Sequence, residues 1–265
     1  MKKQISVLMI LSFILFSTVA PSAQGIVTFN TERIEAGVLG IQYQVSDKFD
    51  TRIMLENNGQ RKTFLLPADR ADEHIPLTLG DGIYSVSILE QISGNQYRPI
   101  RTESLQVNIS DETGRYLSSV QEIRWTSDSL AVKKAKTLTE DLTTDLEKVK
   151  AIHDYVVRHI TYDYAKPGQI TSRYLPDIDE TFIAGSGICY DYASLFAAML
   201  RSVGVPSRMA KGYAPGVDEY HAWNEVLVDG QWQTVDTTFD AAYYQAGIST
   251  DMFKNSDAFT VSSII

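Results

Sequence analysis

An α+β fold is predicted by three features of the chain: short alternating strands in its first part, helical periodicity through its middle, and a return to strands after one apolar helix that begins near residue 189. The change of pattern sets the division. Residues 26–110 are expected to form a small immunoglobulin-like β-sandwich, and residues 111–265 a second domain with a central helix packed on an antiparallel sheet. With 265 residues, 44% of them hydrophobic, the chain can bury a core in each.

Residues 1–25 differ in kind from the rest. Lys2 and Lys3 precede an apolar run from Ile5 to Ala20, and Ala20-Pro21-Ser22-Ala23 closes it with small residues, the layout of a secretory signal peptide. The run is 16 residues long, just short of the roughly 17 to 25 of a spanning helix, so retention as an anchor is the alternative to cleavage. A secreted or extracytoplasmic location, with association with the cell envelope, is the expectation. Cleavage removes two lysines and leaves 22 basic against 33 acidic residues, a net charge of −11. Such a chain lacks the clustered Lys and Arg that phosphates demand, which argues against nucleic acid as a partner.

Residues 26–110 read as strands broken by turn residues. Gly40 to Val45, Thr51 to Glu56, Lys62 to Leu66, Gly82 to Leu89 and Ser104 to Ile109 carry the strand pattern, with hairpin signals at Asn57-Asn58-Gly59 and Ser93-Gly94-Asn95. Tyr84, Val86 and Ile88 alternate with smaller or polar residues, as on a half-buried strand. His74 is the sole histidine of this part and no cysteine occurs in it, which places catalysis further on.

Helices begin after Asp111-Glu112-Thr113-Gly114. Ser129 to Leu142 has apolar residues at helical spacing, and Thr144 with Glu147 forms a capping-box signature for a second helix ending about Ile160. His153 and His159 on that helix are six apart, not at the four-residue spacing of paired ligands, and read as surface or interhelical residues. The following loop holds Asp177, Asp179 and Glu180, which lack the glycine and terminal glutamate of a calcium loop and read as a solvated stretch. Neither a metal nor a cofactor is expected.

The only cysteine, Cys189, follows Gly185-Ser186-Gly187-Ile188 and opens a helix that runs through Leu200 to the stop at Gly204 and Pro206. One thiol in an oxidising compartment is either inert in a core or kept for its reactivity. Its place at a helix start favours reactivity, because unpaired N–H groups there stabilise negative charge on a nucleophile or an oxyanion. The glycines before it allow a sharp turn and room for a substrate. Except for Asp191 and Arg201 the helix is apolar or aromatic almost all round, so it is expected at the centre of the domain.

After it come a strand from Ser207 to Ala214 and a hairpin, His221 to Val228 and Gln231 to Thr238, joined at Asp229-Gly230. With Val228 opposite Gln231, Trp223 falls opposite Asp236 and His221 opposite Thr238. His221 and Asp236 then share a face as diagonal neighbours, about 7–8 Å apart, a distance the two side chains can close. The hairpin thus supplies a base and an orienting acid. Trp223 and Trp232 are expected to pack around it, with lining of an acyl groove as the alternative.

Four motifs in order carry a family resemblance: Gly187-Ile188-Cys189-Tyr190-Asp191-Tyr192-Ala193; Gly204-Val205-Pro206-Ser207-Arg208 with Gly212-Tyr213; His221-Ala222-Trp223-Asn224-Glu225-Val226; and Trp232-Gln233-Thr234-Val235-Asp236-Thr237-Thr238. Over roughly Glu147 to Tyr243 the chain resembles the bacterial branch of the transglutaminase-like superfamily. The resemblance implies a papain-like, transglutaminase-like catalytic core with Cys189, His221 and Asp236 as its triad. Thr237 departs from the pattern where many relatives carry proline. The implied activity is acyl transfer, with Cys189 attacking an amide carbonyl of a peptide, protein or cell-wall peptide and water releasing the product. Cross-linking to an amine, as in a protein-glutamine transglutaminase, and a non-catalytic binding scaffold are the alternatives.

Overall fold

The computed structural model describes residues 27–265, so the signal-peptide reading of residues 1–25 lies outside the described residues. Seven strands come first: β1 (Val27–Asn30), β2 (Val38–Tyr43), β3 (Thr51–Asn57), β4 (Gln60–Leu65), β5 (Asp72–Pro76), β6 (Gly82–Ser93) and β7 (Gln96–Val107). They form two antiparallel sheets, ordered β1-β2-β5 and β4-β3-β6-β7. In β3 the alternation is strict: Thr51, Ile53, Leu55 and Asn57 face inward while Arg52, Met54 and Glu56 are half-exposed. Asn58 and Gly59 both take positive φ, 51° and 73°, the backbone of a primed two-residue turn whose twist suits the strands it joins. Leu39 and Ile41 of one sheet share a buried cluster with Ile53, Leu55, Tyr84, Val86 and Ile88 of the other. The strands β1 and β5 are additions to those expected, and the β6–β7 hairpin starts its second strand at Gln96 rather than Ser104.

The remainder contains α1 (Leu130–Thr139), α2 (Asp145–His159), β8 (Thr161–Tyr162), α3 (Ile178–Ala184), β9 (Ser186–Gly187), α4 (Cys189–Ser202), β10 (Ser207–Tyr213), β11 (His221–Val228), β12 (Gln231–Val235), α5 (Thr237–Gln245), β13 (Phe253–Lys254) and β14 (Thr260–Ile264). The strands from β10 onward make one antiparallel sheet in the order β13-β12-β11-β10-β14. Helix α4 packs on β10 and β11 of that sheet and against α1, α2, α3 and α5, and its side chains from Tyr192 to Leu200 are wholly buried. The expected central helix on an antiparallel sheet is present.

The capping box at α2 forms as its sequence signature indicates: the Glu147 N–H donates to Thr144 Oγ1, and the Thr144 N–H donates to Glu147 Oε2 at 3.0 Å. At the far end of α4, the buried Arg201 guanidinium donates to the carbonyls of Ser207 (2.8 Å), Ser118 (2.7 Å) and Ile265 (3.4 Å). One side chain therefore ties the helix end to β10, to the segment leading out of the first sheets, and to the last residue.

Two expectations need correction. The acids Asp177, Asp179 and Glu180 open a helix and are not a loop, although Asp177 and Glu180 are exposed as expected: Asp177 caps α3 by accepting from the N–H groups of Asp179 and Glu180, and Asp179 Oδ1 accepts from Ala131 N in the first turn of α1. The second strand of the hairpin stops at Val235, not Thr238, because Asp236 caps a helix that begins at Thr237.

Candidate active site

Cys189 is the first residue of α4, and Ile188 before it is extended, with φ −94° and ψ 174°. The turn into the helix is held by Asp191, whose Oδ2 accepts from the Ile188 N–H at 2.9 Å. This carboxylate is fully buried and is matched by the Lys166 ammonium at 2.8 Å and by the Tyr174 hydroxyl. Lys166 and Tyr174 come from the stretch between β8 and α3, so Asp191 fastens that stretch to the start of α4. A Cβ at Gly187 would lie 2.7 Å from Cβ of Asp191. The space this glycine leaves is filled by Asp191, not kept for a substrate. Gly185, in contrast, turns the chain out of α3 with φ 60°.

His221 opens β11 and Asp236 follows β12. The hairpin register is the expected one, Val228 opposite Gln231 and Asn224 opposite Val235, with Asp229 and Gly230 at positive φ in the turn. Asp236 has left the ladder, so Trp223 has no partner there and the approach to His221 is made from a helix cap. The result is a 2.8 Å contact between His221 Nε2 and Asp236 Oδ2, with both side chains buried. The other oxygen, Oδ1, accepts from the Phe239 N–H at 3.0 Å.

Burial alone would pull the His221 pKa down. Hydrogen bonds to Asp236 and to Cys189, with the negative charge of each, outweigh it and raise the imidazole to about 10. Since Nε2 is taken by Asp236, the ring nitrogen left for Cys189 is Nδ1. Cys189 itself is partly exposed, hence open to reagents. The three residues singled out in the sequence are thus brought together.

The rest of the His221 motif holds the pair in place. The Trp223 ring stacks on His221 with centroids 6.3 Å apart, and packs on Phe259 at 5.0 Å. Asn224 Nδ2 donates to the Ala193 carbonyl of α4 at 2.9 Å, which ties the histidine's strand to the cysteine's helix. Glu225 pairs with Arg208 across β10 and β11. Trp232 lies under the Arg208 guanidinium, 4.2 Å from its ring centroid, and edge-on to Tyr116. Both tryptophans pack around the hairpin.

Sequence reasoning missed the tasks of Asp191, Asn224 and Asp240. Asp191 stands third in its helix, where an acid reaching back to the cap N–H is a known signature. Asp240, one turn beyond Asp236, is buried and accepts from His153 at 2.9 Å, from Thr250 at 2.5 Å and from Lys254. Burial raises its pKa, but these hydrogen bonds prevail and hold it below the usual carboxylate range. His153 is therefore an interhelical residue between α2 and α5, while His159 is exposed and stacks on Tyr155. Among the described residues no three His, Cys, Asp or Glu side chains gather as a metal cluster.

Residues 132–237 match the transglutaminase-like superfamily. Human kyphoscoliosis peptidase is 33% identical over 112 residues, 38% of this chain and 17% of that protein. The Bacillus subtilis protein YebA is 26% identical over 217 residues, 70% of this chain and 27% of its own length. The chain thus spans well under a third of either relative. A solved structure from Cytophaga hutchinsonii, put forward as a cysteine protease, aligns with a TM-score of 0.45 at 18% identity, over 86% of this chain and 79% of that one. The segment matched to that superfamily is the one that carries Cys189, His221 and Asp236.

Proposed function

We propose that this chain is an exported cysteine-dependent acyl-transfer enzyme that hydrolyses peptide or amide bonds, with Cys189 as nucleophile, His221 as proton carrier and Asp236 as its orienting acid. The observation that carries the proposal is the buried 2.8 Å contact of His221 Nε2 with Asp236, which leaves the other ring nitrogen to Cys189.

In the first step the Cys189 sulfur forms a bond to the carbonyl carbon, and the imidazolium of His221 holds the proton. Collapse of the tetrahedral intermediate breaks the C–N bond as His221 gives that proton to the leaving amine. Water, activated by the now neutral imidazole, then releases the acid from the thioester. Asp236 keeps the proton of His221 on Nε2 between steps, so that Nδ1 is free to accept. It does not change its own protonation.

Hydrolysis in preference to amine transfer is supported by the matched human relative, which is named a peptidase. For residues 27–107 we read an immunoglobulin-like docking element, supported by three strands facing four around a single core. A cell-envelope location rests on the amino-terminal sequence, with its lysines, apolar run and small residues.

One experiment separates the alternatives. The protein is incubated with a glutamine peptide plus a labelled primary amine, and in parallel with cell-wall peptides, and products are read by mass. The expected products are acids formed by water and absent with Cys189→Ala. Label incorporated into the glutamine peptide would favour cross-linking, and no product dependent on Cys189 would favour a scaffold.

A further inference from the structure

We propose that the cavity lined by Arg70, Arg124, Trp125 and the start of α3 is a binding site for a small zwitterion, a free amino acid or dipeptide that carries both an ammonium and a carboxylate. The site is separate from the candidate active site, since neither Cys189, His221 nor Asp236 lines it.

The cavity measures about 260 Å³, just under the roughly 300 Å³ at which pockets for drug-sized molecules begin, so it suits a smaller ligand. Its lining joins both signs of charge. Arg70 comes from the segment between β4 and β5 and Arg124 from the segment before α1, while Asp177 caps α3 and Asp179 lies in its first turn. Among the described residues neither arginine pairs with either of these acids. Arg70 donates from Nη1 to Glu73 at 2.7 Å, and Arg124 reaches Asp72 only at 3.5 Å from Nη2, longer than an ordinary N–H···O bond. Each guanidinium therefore keeps unused donors.

The acids cannot swing across to neutralise the arginines without giving up bonds of their own. Asp177 Oδ1 accepts from the N–H groups of Asp179 and Glu180, each at 2.9 Å, and Asp179 Oδ1 accepts from the Ala131 N–H at 3.1 Å. The Oδ2 of each acid has no partner among the described residues. Charges of opposite sign are thus held apart around one space. A simple anion there meets Asp177 and Asp179, and a simple cation meets the two arginines. A molecule with both charges satisfies both, its carboxylate taken by the guanidinium groups and its ammonium by the free carboxylate oxygens. Trp125 adds an apolar surface: its ring packs on the core around α4, and its buried indole N–H has no acceptor among the described residues, an unmet donor on a residue that lines the cavity.

The test uses the full chain carrying Cys189→Ala, so that no reaction at that thiol disturbs the reading. The protein amino acids and L-alanyl-L-alanine are screened by thermal denaturation, and those that raise Tm are titrated by calorimetry beside their N-acetyl and C-amide forms, each of which lacks one charge. The expected result is saturable binding of at least one free form, weakened roughly ten- to hundredfold in both capped forms, the effect of losing one hydrogen bond to a charged group. Arg124→Gln and Asp177→Asn are expected to weaken it to a similar extent, the latter with α3 intact because asparagine caps a helix as well as aspartate does. No rise in Tm with any of these probes overturns the proposal. Undiminished binding of either capped form overturns it too, since the site would then read a single charge, and so does equal binding in both variants, which would place the ligand elsewhere.

Discussion

Asp236 uses its two carboxylate oxygens for different tasks, Oδ2 holding His221 Nε2 at 2.8 Å and Oδ1 capping α5 through the Phe239 N–H at 3.0 Å. The helix thereby fixes the carboxylate that holds the imidazole, and a substitution at this position can be made to separate the two tasks.

Asp236→Asn is the separating change. The Phe239 N–H is a donor and cannot turn away, so the amide must place its oxygen there and its NH2 toward His221. That forces Nε2 to accept and moves the proton of the neutral ring to Nδ1, the tautomer that cannot take a proton from Cys189. Turnover is expected to fall on the order of 10³- to 10⁴-fold, with a much smaller effect on thermal stability, because the cap survives and only the charge beside His221 is lost. Asp236→Ala is expected to lose the cap as well, at about 0.5–2 kcal/mol. Steady-state rates and thermal denaturation of the two variants check both expectations; unimpaired Asp236→Asn would mean that the ring does not depend on its acid.

His221 carries a pH signature. Its pKa in the folded chain is raised from the ordinary value of 6.5 to about 10. The stability that the charged ring contributes is therefore fully present below pH 6.5 and is lost as pH rises through 10. The unfolding free energy of the unmutated chain minus that of His221→Gln is expected to be largest below pH 6.5 and to shrink across that window. An NMR titration of the imidazole should show its midpoint near 10, and a midpoint near 6.5 would mean that the ring gains nothing from Asp236 and Cys189.

Gly187→Ala tests the packing that seats Cys189. The added Cβ meets Cβ of Asp191 at 2.7 Å, and Asp191 cannot retreat while Ile188, Lys166 and Tyr174 hold its carboxylate. Destabilisation of about 1–3 kcal/mol is expected together with a fall in kcat, since any relief shifts the turn that carries Cys189. Chemical denaturation and steady-state kinetics measure the two, and unchanged values of both would mean that this turn is slack.

Arg201→Lys tests the other end of the helix. A lysine cannot reproduce a planar fork reaching the carbonyls of Ser207, Ser118 and Ile265, so buried acceptors are left unpaired. A loss of about 2–4 kcal/mol is expected, with the His221 midpoint unmoved because the site lies at the opposite end of α4. Equal stability would show that these three carbonyls do not depend on the guanidinium.

What could be read in the sequence was local. The hairpin register followed from Asp229-Gly230, whose positive φ values only such residues take readily, and the start of α2 from Thr144 with Glu147. Helix α5 was not read because Thr234-Val235-Asp236-Thr237-Thr238 alternates like a strand, although Asp236 is a good cap and Thr237 occupies the first helical position. Helix α3 was missed in the same way, with Asp177 as its cap and Gly185 as its end. The partners of buried charges had no such sign: Lys166 and Asp191, or His153 and Asp240, meet only because the fold brings separate elements together.

The most direct test of the account is whether an acyl group is carried on Cys189. The unmutated chain is mixed with p-nitrophenyl acetate, quenched in acid, and examined by intact mass and peptide mapping before and after hydroxylamine, which cleaves thioesters. The expected result is one acetyl group on Cys189, removed by hydroxylamine and absent from Cys189→Ala. An unmodified Cys189, or acetyl groups that resist hydroxylamine and persist in Cys189→Ala, would contradict the account.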